Sequence, residues 1–256
     1  MTDPIRILLI EDDTVDQLAF KRHLEREKLP YHYEVVQSMR DALAALKRQV
    51  FDIIVSDYNL GDGTALDVCE AAKGIPLIVI TGAGNEEIAV KALKSGAYDY
   101  IIKDADRNYL KVLPLTVEKA VQSNRADKQV KMLMHAVMHI NDSVYITDTQ
   151  GIIRFVNQAF HQTYGFSAEE VIGKPVSVLG EECQGGECIQ RRKDGSTFYV
   201  SLSKSIVRDD SGEVAGVVAV ARDITERKAA EEALRASEEK YRQFFDEDLA
   251  GAFIAT

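Results

Sequence analysis

At 256 residues the chain is long enough for two ordinary domains. Its 46% hydrophobic and 28% charged content is typical of globular protein, and a net charge of −10 argues against nonspecific nucleic-acid binding and against anionic membrane surfaces. Three widely spread cysteines make no disulfide framework, no apolar run approaches the roughly 20 residues that span a bilayer, and no signal-peptide pattern precedes the first strand, so the expectation is a cytoplasmic protein with no membrane partner.

From Ile5 to Lys103 strand and helix patterns alternate. Ile5-Arg6-Ile7-Leu8-Leu9-Ile10 reads as a strand and residues 15–24 as an amphipathic helix. A short strand over 33–36 and a helix over 39–46 follow, then strands over 51–56 and 75–80, a helix over 86–93 and a fifth strand over 98–102. Short apolar runs, rich in β-branched residues and closed by turn residues, belong in the middle of a parallel sheet. The predicted fold is therefore an α/β doubly wound (βα)5 unit with helices on both faces. Pro114 suits the first turn of a long helix, where its missing N–H has no partner to lose. Val117, Ala120, Val121, Val130, Leu133 and Met134 carry helical spacing onward through a charged background.

The period changes at Ser143. Ser143-Val144-Tyr145-Ile146-Thr147-Asp148 and Ile152-Ile153-Arg154-Phe155-Val156 flank Thr149-Gln150-Gly151, a hairpin signal. Short helices over 157–164 and 168–172 and three strands over 187–191, 197–205 and 213–221 complete an α+β unit with an antiparallel sheet. Asp223 with Glu226 three residues on resembles a capping box for a helix over 227–245. Ala230, Leu234, Ser237, Tyr241 and Phe244 alternate four- and three-residue steps there, the spacing of a short coiled coil. A plain solvated helix is the competing reading.

The chemistry sits at strand ends. The first strand ends in Glu11-Asp12-Asp13, the third in Asp57, the fourth in Thr81 and the fifth in Lys103. In a parallel sheet these ends share one edge, where open α/β sheets hold their ligands. Clustered carboxylates repel unless a cation is present, and all-oxygen ligands suit Mg²⁺. A phosphoryl group held there can pass to a carboxylate, with Lys103 meeting the developing charge and Thr81 offering a hydroxyl donor.

Residues 4–125 resemble the receiver domain of two-component response regulators. The resemblance rests on Ile7-Leu8-Leu9-Ile10-Glu11-Asp12-Asp13, Ser56-Asp57, Val79-Ile80-Thr81-Gly82 and Gly96-Ala97-Tyr98-Asp99-Tyr100-Ile101-Ile102-Lys103. It implies that Asp57 is the phosphoacceptor, that Glu11 and Asp12 are the metal-binding acids with Asp13 a weaker third, and that the Asn59 backbone carbonyl joins the Mg²⁺ shell. It further implies that Thr81 and Lys103 serve the phosphoryl group and that Tyr100 is the switch aromatic. A plain core position for Tyr100 and an ordinary turn position for Asn59 stay open. The family usually has a proline in a cis bond after the lysine. Here Asp104 follows, and a cis bond before a non-proline residue costs about 2.5–4 kcal/mol, which favours trans. A phosphatase that forms an aspartyl phosphate would want an acid two residues past the nucleophile. Asn59 cannot protonate a leaving group there.

Residues 141–223 resemble a PAS sensor domain, carried by Asp142-Ser143-Val144-Tyr145-Ile146-Thr147-Asp148, Tyr164-Gly165-Phe166-Ser167-Ala168-Glu169-Glu170-Val171-Ile172-Gly173-Lys174, Arg191-Arg192-Lys193-Asp194-Gly195 and the closing Ala221-Arg222-Asp223-Ile224-Thr225. The resemblance names no ligand for this copy, and the short segment over 176–190 argues against a buried cofactor. Cys183 and Cys188 lack metal-site spacing and read as incidental thiols, and Cys69 as packing. His135 and His139 read as helix-surface residues. Tyr241-Arg242-Gln243-Phe244-Phe245 with Gly251-Ala252-Phe253-Ile254 resembles the opening of a second PAS domain.

The resulting layout is a receiver over 1–125, a linker helix over 126–140, a PAS domain over 141–225, a signalling helix over 226–245 and the start of a further PAS domain over 246–256. The two resemblances imply a phosphoacceptor signalling protein, itself not an enzyme, that belongs to a longer protein. Its expected partners are a histidine kinase or phosphotransfer protein and a second copy joined through the PAS domain and helical linkers. A docking module insensitive to phosphorylation is the alternative.

Overall fold

The computed structural model describes residues 4–82, 86–180 and 186–253. The chain divides into two units, Met1–Lys131 and Met132–Thr256.

In the first unit β1 (Ile5–Ile10), β2 (Tyr31–Val36) and β3 (Ile53–Asp57) alternate with α1 (Thr14–Glu27) and α2 (Met39–Arg48). A two-residue hairpin, β4 (Asn59–Leu60) and β5 (Gly63–Thr64), leads into α3 (Ala65–Ala71), a helix the sequence reading did not delimit. Then follow β6 (Leu77–Gly82), α4 (Glu86–Lys94), β7 (Asp99–Lys103) and α5 (Tyr109–Met138). The five long strands form a parallel sheet in the order β2-β1-β3-β6-β7. Side chains alternate across it. Leu8, Ile10, Ile54 and Val79 face the layer of α2, α3 and α4, while Ile7, Leu9, Ile53, Val55 and Ile80 pack with Phe20 and Leu24 of α1 and Leu113 and Val117 of α5. Burial on both faces is what made these strands read as continuous apolar runs.

Local chemistry sets the helix ends. Asp13 accepts the Val15 N–H at 2.7 Å and N-caps α1. Ser38 caps α2, whose first N–H groups at Met39 and Arg40 also donate to Asp62 at 2.8 and 3.0 Å. Thr64 and Asp67 form a capping box on α3. The α5 start differs from the expectation. It lies at Tyr109, which places Pro114 inside the helix rather than in its first turn. The cause is Asp104: its carboxylate accepts the Tyr109 N–H at 3.0 Å and the Asn108 side-chain amide at 2.7 Å, and Tyr109, Leu110 and Leu113 are buried. That cap and that burial outweigh the hydrogen bond Pro114 cannot make. No cis peptide bond occurs among the described residues, so Lys103 joins Asp104 in trans.

In the second unit β8 (Ser143–Thr147), β9 (Ile153–Val156), α6 (Gln158–Tyr164) and α7 (Ala168–Val171) precede a 3-10 turn over Val176–Leu179. β10 (Gly186–Arg191), β11 (Thr197–Arg208), β12 (Val214–Asp223) and α8 (Thr225–Phe253) complete it. The sheet is antiparallel in the order β10-β11-β12-β8-β9. Phe160 stacks on Tyr164, which meets Phe198 edge-on, and Leu179, Val200 and Ala221 close the core. The Tyr164 hydroxyl donates to the side-chain oxygen of Gln190, which pairs these two buried polar groups. Asn157 was expected inside a helix; it is the N-cap. Its Oδ1 accepts from the Phe160 and Val144 N–H groups, and its amide donates to the carbonyl oxygens of Val137, Ile140 and Asp142. α8 runs through Phe253, so the described part of 246–256 is helix. Residues 254–256 lie outside the described residues.

Gly216 on β12 has no room for a side chain, because a Cβ there would stand 2.1 Å from the Thr147 carbonyl oxygen. Gly216→Ala is expected to pry β12 from β8 and cost the second unit about 2 kcal/mol or more, read as a lower urea midpoint. An unchanged midpoint would contradict this strand contact.

Candidate functional site

Three strand tips converge at the C-terminal edge of the parallel sheet. Glu11 follows β1 and is buried. Its N–H donates to Val36 O at 3.0 Å and its carbonyl oxygen accepts from the Gln17 amide at 2.6 Å. Asp12 beside it is exposed, and Asp57 at the end of β3 is half-buried. Carboxylate oxygens of Glu11, Asp12 and Asp57 all lie within 4.8 Å of one another. The β1 and β3 tips flank the point where the strand order reverses, the ligand position of open α/β sheets.

Lys103 ends β7, with β6 between it and β3. Its ammonium reaches Asp57 Oδ2 at 2.7 Å, Glu11 Oε2 at 2.8 Å and Asp16 Oδ2 at 2.9 Å. Three N–H donors meet three carboxylates, so the ammonium is saturated. Burial by itself would pull the Lys103 pKa down; the bonds to Asp57, Glu11 and Asp16 outweigh it and hold the group above its ordinary value. Burial pushes the Glu11 carboxyl up to about 7, against the lowering pull of Lys103 and with a further rise from Asp57. A buried acid that resists ionisation beside two other carboxylates is a donor set that a hard divalent cation would satisfy. Glu11, Asp12 and Asp57 are the residues that could hold one.

The remaining expected residues fall at or near this edge. Thr81 is buried at the end of β6, one residue past the partner of Asp57, and its hydroxyl donates to Gly82 O at 3.3 Å. Tyr100 is half-buried and packs with the cluster that includes Leu8 and Val79, on the opposite face from Ile101. Asn59 lies two residues past Asp57 with its side chain exposed, paired with Thr64 in the small hairpin. Asp13 stands apart from the Glu11, Asp12 and Asp57 group, because its carboxylate is committed to capping α1. Asp16 was not anticipated. It lies in the first turn of α1, where acids are common for dipole reasons, and nothing in its spacing marks it as a partner of Lys103.

Outside this edge, the Cys69 thiol donates to Ser95 O at 3.3 Å, and burial pushes its pKa up, as packing implies. The incidental-thiol reading of Cys188 is corrected: it is disulfide-bonded. Disulfides require Cα atoms within about 7 Å, a proximity that sequence spacing alone does not display. Cys183 lies outside the described residues. His135 on α5 and His139 just past its end are exposed, with their rings 6.3 Å apart.

Residues 7–113 match the family model of the response regulator receiver domain, and residues 141–226 match that of a PAS domain. The chain carries a receiver domain followed by a PAS domain. The receiver half is 34% identical over 122 residues to the methanogenesis regulatory protein FilR1 of Methanothrix harundinacea, covering 45% of this chain and 27% of that protein. It is 41% identical over 106 residues to the acid tolerance regulatory protein ActR of Sinorhizobium medicae, covering 39% of this chain and 53% of that one. The chain thus spans about a quarter to a half of these curated relatives. Among solved structures, the CheY-like receiver domain protein of Methanospirillum hungatei is 26% identical with a TM-score of 0.43, over 48% of this chain and 98% of that one. The PAS domain of a Colwellia psychrerythraea protein is 27% identical with a TM-score of 0.35, over 38% of this chain and 98% of that one. No helix among the described residues is long and apolar enough to cross a membrane.

Lys103→Met removes from the receiver domain the ammonium that pulls the Glu11 carboxyl down, so its folded-state pKa, already up at about 7, rises further. The stability tied to protonated Glu11 is present at low pH and is lost as pH climbs through the raised value. Relative to wild type, the variant is expected to lose about 1–3 kcal/mol more stability between pH 5 and pH 8. A pH-independent difference in urea titrations would contradict the charge cluster.

Proposed function

We propose that the chain is a phosphoacceptor in two-component signalling, with Asp57 as the acceptor and Mg²⁺ held by Glu11, Asp12, Asp57 and the Asn59 backbone carbonyl. The observation that carries this reading is the Lys103 ammonium bonded at 2.7 Å to the one carboxylate at the tip of β3. Asp57 is partly exposed to an incoming donor, while Glu11, the other strand-tip acid bonded to Lys103, is buried. A phosphohistidine of a kinase or phosphotransfer protein, or a small acyl phosphate, is the donor chemistry. A bound divalent ion would neutralise phosphoryl oxygens in the transition state.

The protein's own groups do the rest. An Asp57 oxygen attacks phosphorus, the bond from phosphorus to the donor breaks, and the donor leaves with that electron pair. Lys103 follows the charge from the carboxylate to the phosphoryl oxygens. Thr81 exchanges its bond to Gly82 O for one to a phosphoryl oxygen, and Tyr100 repacks beside it. These are the differential contacts that a two-state switch requires. The loop after Lys103 holds Asp104, the cap of α5, so a shift of Lys103 bears directly on the start of that helix. The output is relayed through the PAS domain, and pairing of two copies through the PAS domain and the helices around it serves that relay. Val130 and Leu133 of α5 and Leu234 and Tyr241 of α8 are exposed apolar residues available for such pairing. The cytoplasm is where such donors act.

Incubation with acetyl phosphate and Mg²⁺ should add one phosphoryl group per chain, mapped by mass spectrometry to Asp57 after borohydride trapping. Asp57→Asn or chelation by EDTA should abolish it, and labelling that persists in Asp57→Asn would overturn the assignment. Beryllofluoride with Mg²⁺ should change either the oligomeric state or the hydrogen-exchange protection of the α5 start. Dimerisation unaffected by beryllofluoride, with unchanged protection, would favour the docking-module reading instead.

A further inference from the structure

Asp16 is the carboxylate at this site that the phosphoacceptor reading leaves without a task. It is one of the three acids bonded to Lys103, at 2.9 Å, yet it is not among the three whose oxygens converge to hold a cation. It approaches the ammonium from α1, whereas Glu11 and Asp57 approach from the sheet. Its other carboxylate oxygen lies 3.8 Å from the Arg107 guanidinium, and Arg107 takes a left-handed backbone conformation (φ 56°) in the loop between β7 and α5. Only 22% of the Asp16 side chain is exposed.

Consider what each partner of Lys103 does during transfer. Glu11 and Asp57 would give up lone pairs to a bound cation, and on transfer Asp57 would become an acyl phosphate. Both bonds that aim the ammonium are weakened when its aim matters most. Asp16 keeps its charge and its place through the whole step, because neither the cation nor the phosphoryl group takes its oxygens. A lysine ammonium is a strongly hydrated point charge on a flexible four-carbon stem and loses direction readily without a fixed partner. Preorganised charge contributes to rate because it costs no reorganisation at the moment of reaction.

We infer that Asp16 is a positioning residue for phosphoryl transfer, holding the Lys103 ammonium at the pocket wall while Glu11 and Asp57 are occupied. This rests on the phosphoacceptor reading. The carboxylate of Asp16 makes no bond to the phosphoryl group and acts through Lys103 alone. Its negative charge also opposes the incoming dianion; the tether outweighs that repulsion because the neighbouring ammonium and the Arg107 guanidinium both neutralise it.

The test is a double-mutant cycle on the full chain, reading the initial rate of phosphorylation by acetyl phosphate at saturating Mg²⁺. Asp16→Ala should slow wild type about tenfold. Asp16→Asn, which keeps an oxygen acceptor, should fall between the two. Half-saturation by Mg²⁺ should move less than about twofold, since Asp16 lies outside the cation-holding group. In a Lys103→Ala background, Asp16→Ala should have no further effect on rate. The inference is overturned if Asp16→Ala matches or exceeds the wild-type rate, or if it slows the Lys103→Ala protein by the same factor, which would mark a structural role. A wild type that takes no phosphoryl group on Asp57 overturns the underlying reading as well, a different result from a labelled wild type that Asp16→Ala equals.

Discussion

One ammonium holds the sheet edge together. Lys103 enters from the last strand of the parallel sheet, and its three donors go to carboxylates of the β1 tip, the β3 tip and the first turn of α1. Without it, four acids stand close together, counting Asp12, in a partly buried pocket where repulsion is poorly screened. With it, the acids are held together at one edge, where Glu11, Asp12 and Asp57 could also face a second positive charge. Loss of one partner from a buried ion cluster costs more than the cluster itself contributes, so the arrangement is better understood as a device than as a source of stability.

The residue after the lysine extends this logic. Asp104 stands where the resembled family usually has proline, and the structure gives it work. Its carboxylate closes the start of α5 through Tyr109 and Asn108, and the peptide before it is trans. The end of β7, the α5 cap and the left-handed Arg107 are thus neighbours within a few residues. Asp16 touches the group through both Lys103 and Arg107. Charge at the pocket and order at the beginning of a 30-residue helix are therefore connected by short bonds.

The second unit works by filling its interior. Phe160 stacks on Tyr164, which meets Phe198 of β11 edge-on, Gln190 takes the buried Tyr164 hydroxyl, and Asn157 spends both ends of its amide on main-chain groups of five residues. Buried polar groups paired in this way help fix the arrangement of the helices on the sheet.

The succession of strands and helices along the chain, the parallel and antiparallel halves, and the arrival of Glu11, Asp57, Thr81 and Lys103 at one edge were legible in the sequence. Each follows from local pattern: β-branched runs closed by turns, with polar residues at fixed strand ends. Other features were decided only by tertiary contact. Asp13 looks equivalent to Asp12 in the chain, yet one caps a helix and the other stays free to face the pocket. Asp16 looks like an ordinary first-turn acid until β7 carries Lys103 beside it, 87 residues later. Pro114 was misplaced because the Asp104 carboxylate and the burial of Tyr109, Leu110 and Leu113 start α5 earlier than propensity suggests. A sequence states which groups a segment carries and which face they share. Only folding brings segments far apart in the chain within the 3 Å at which a charge acquires its partner.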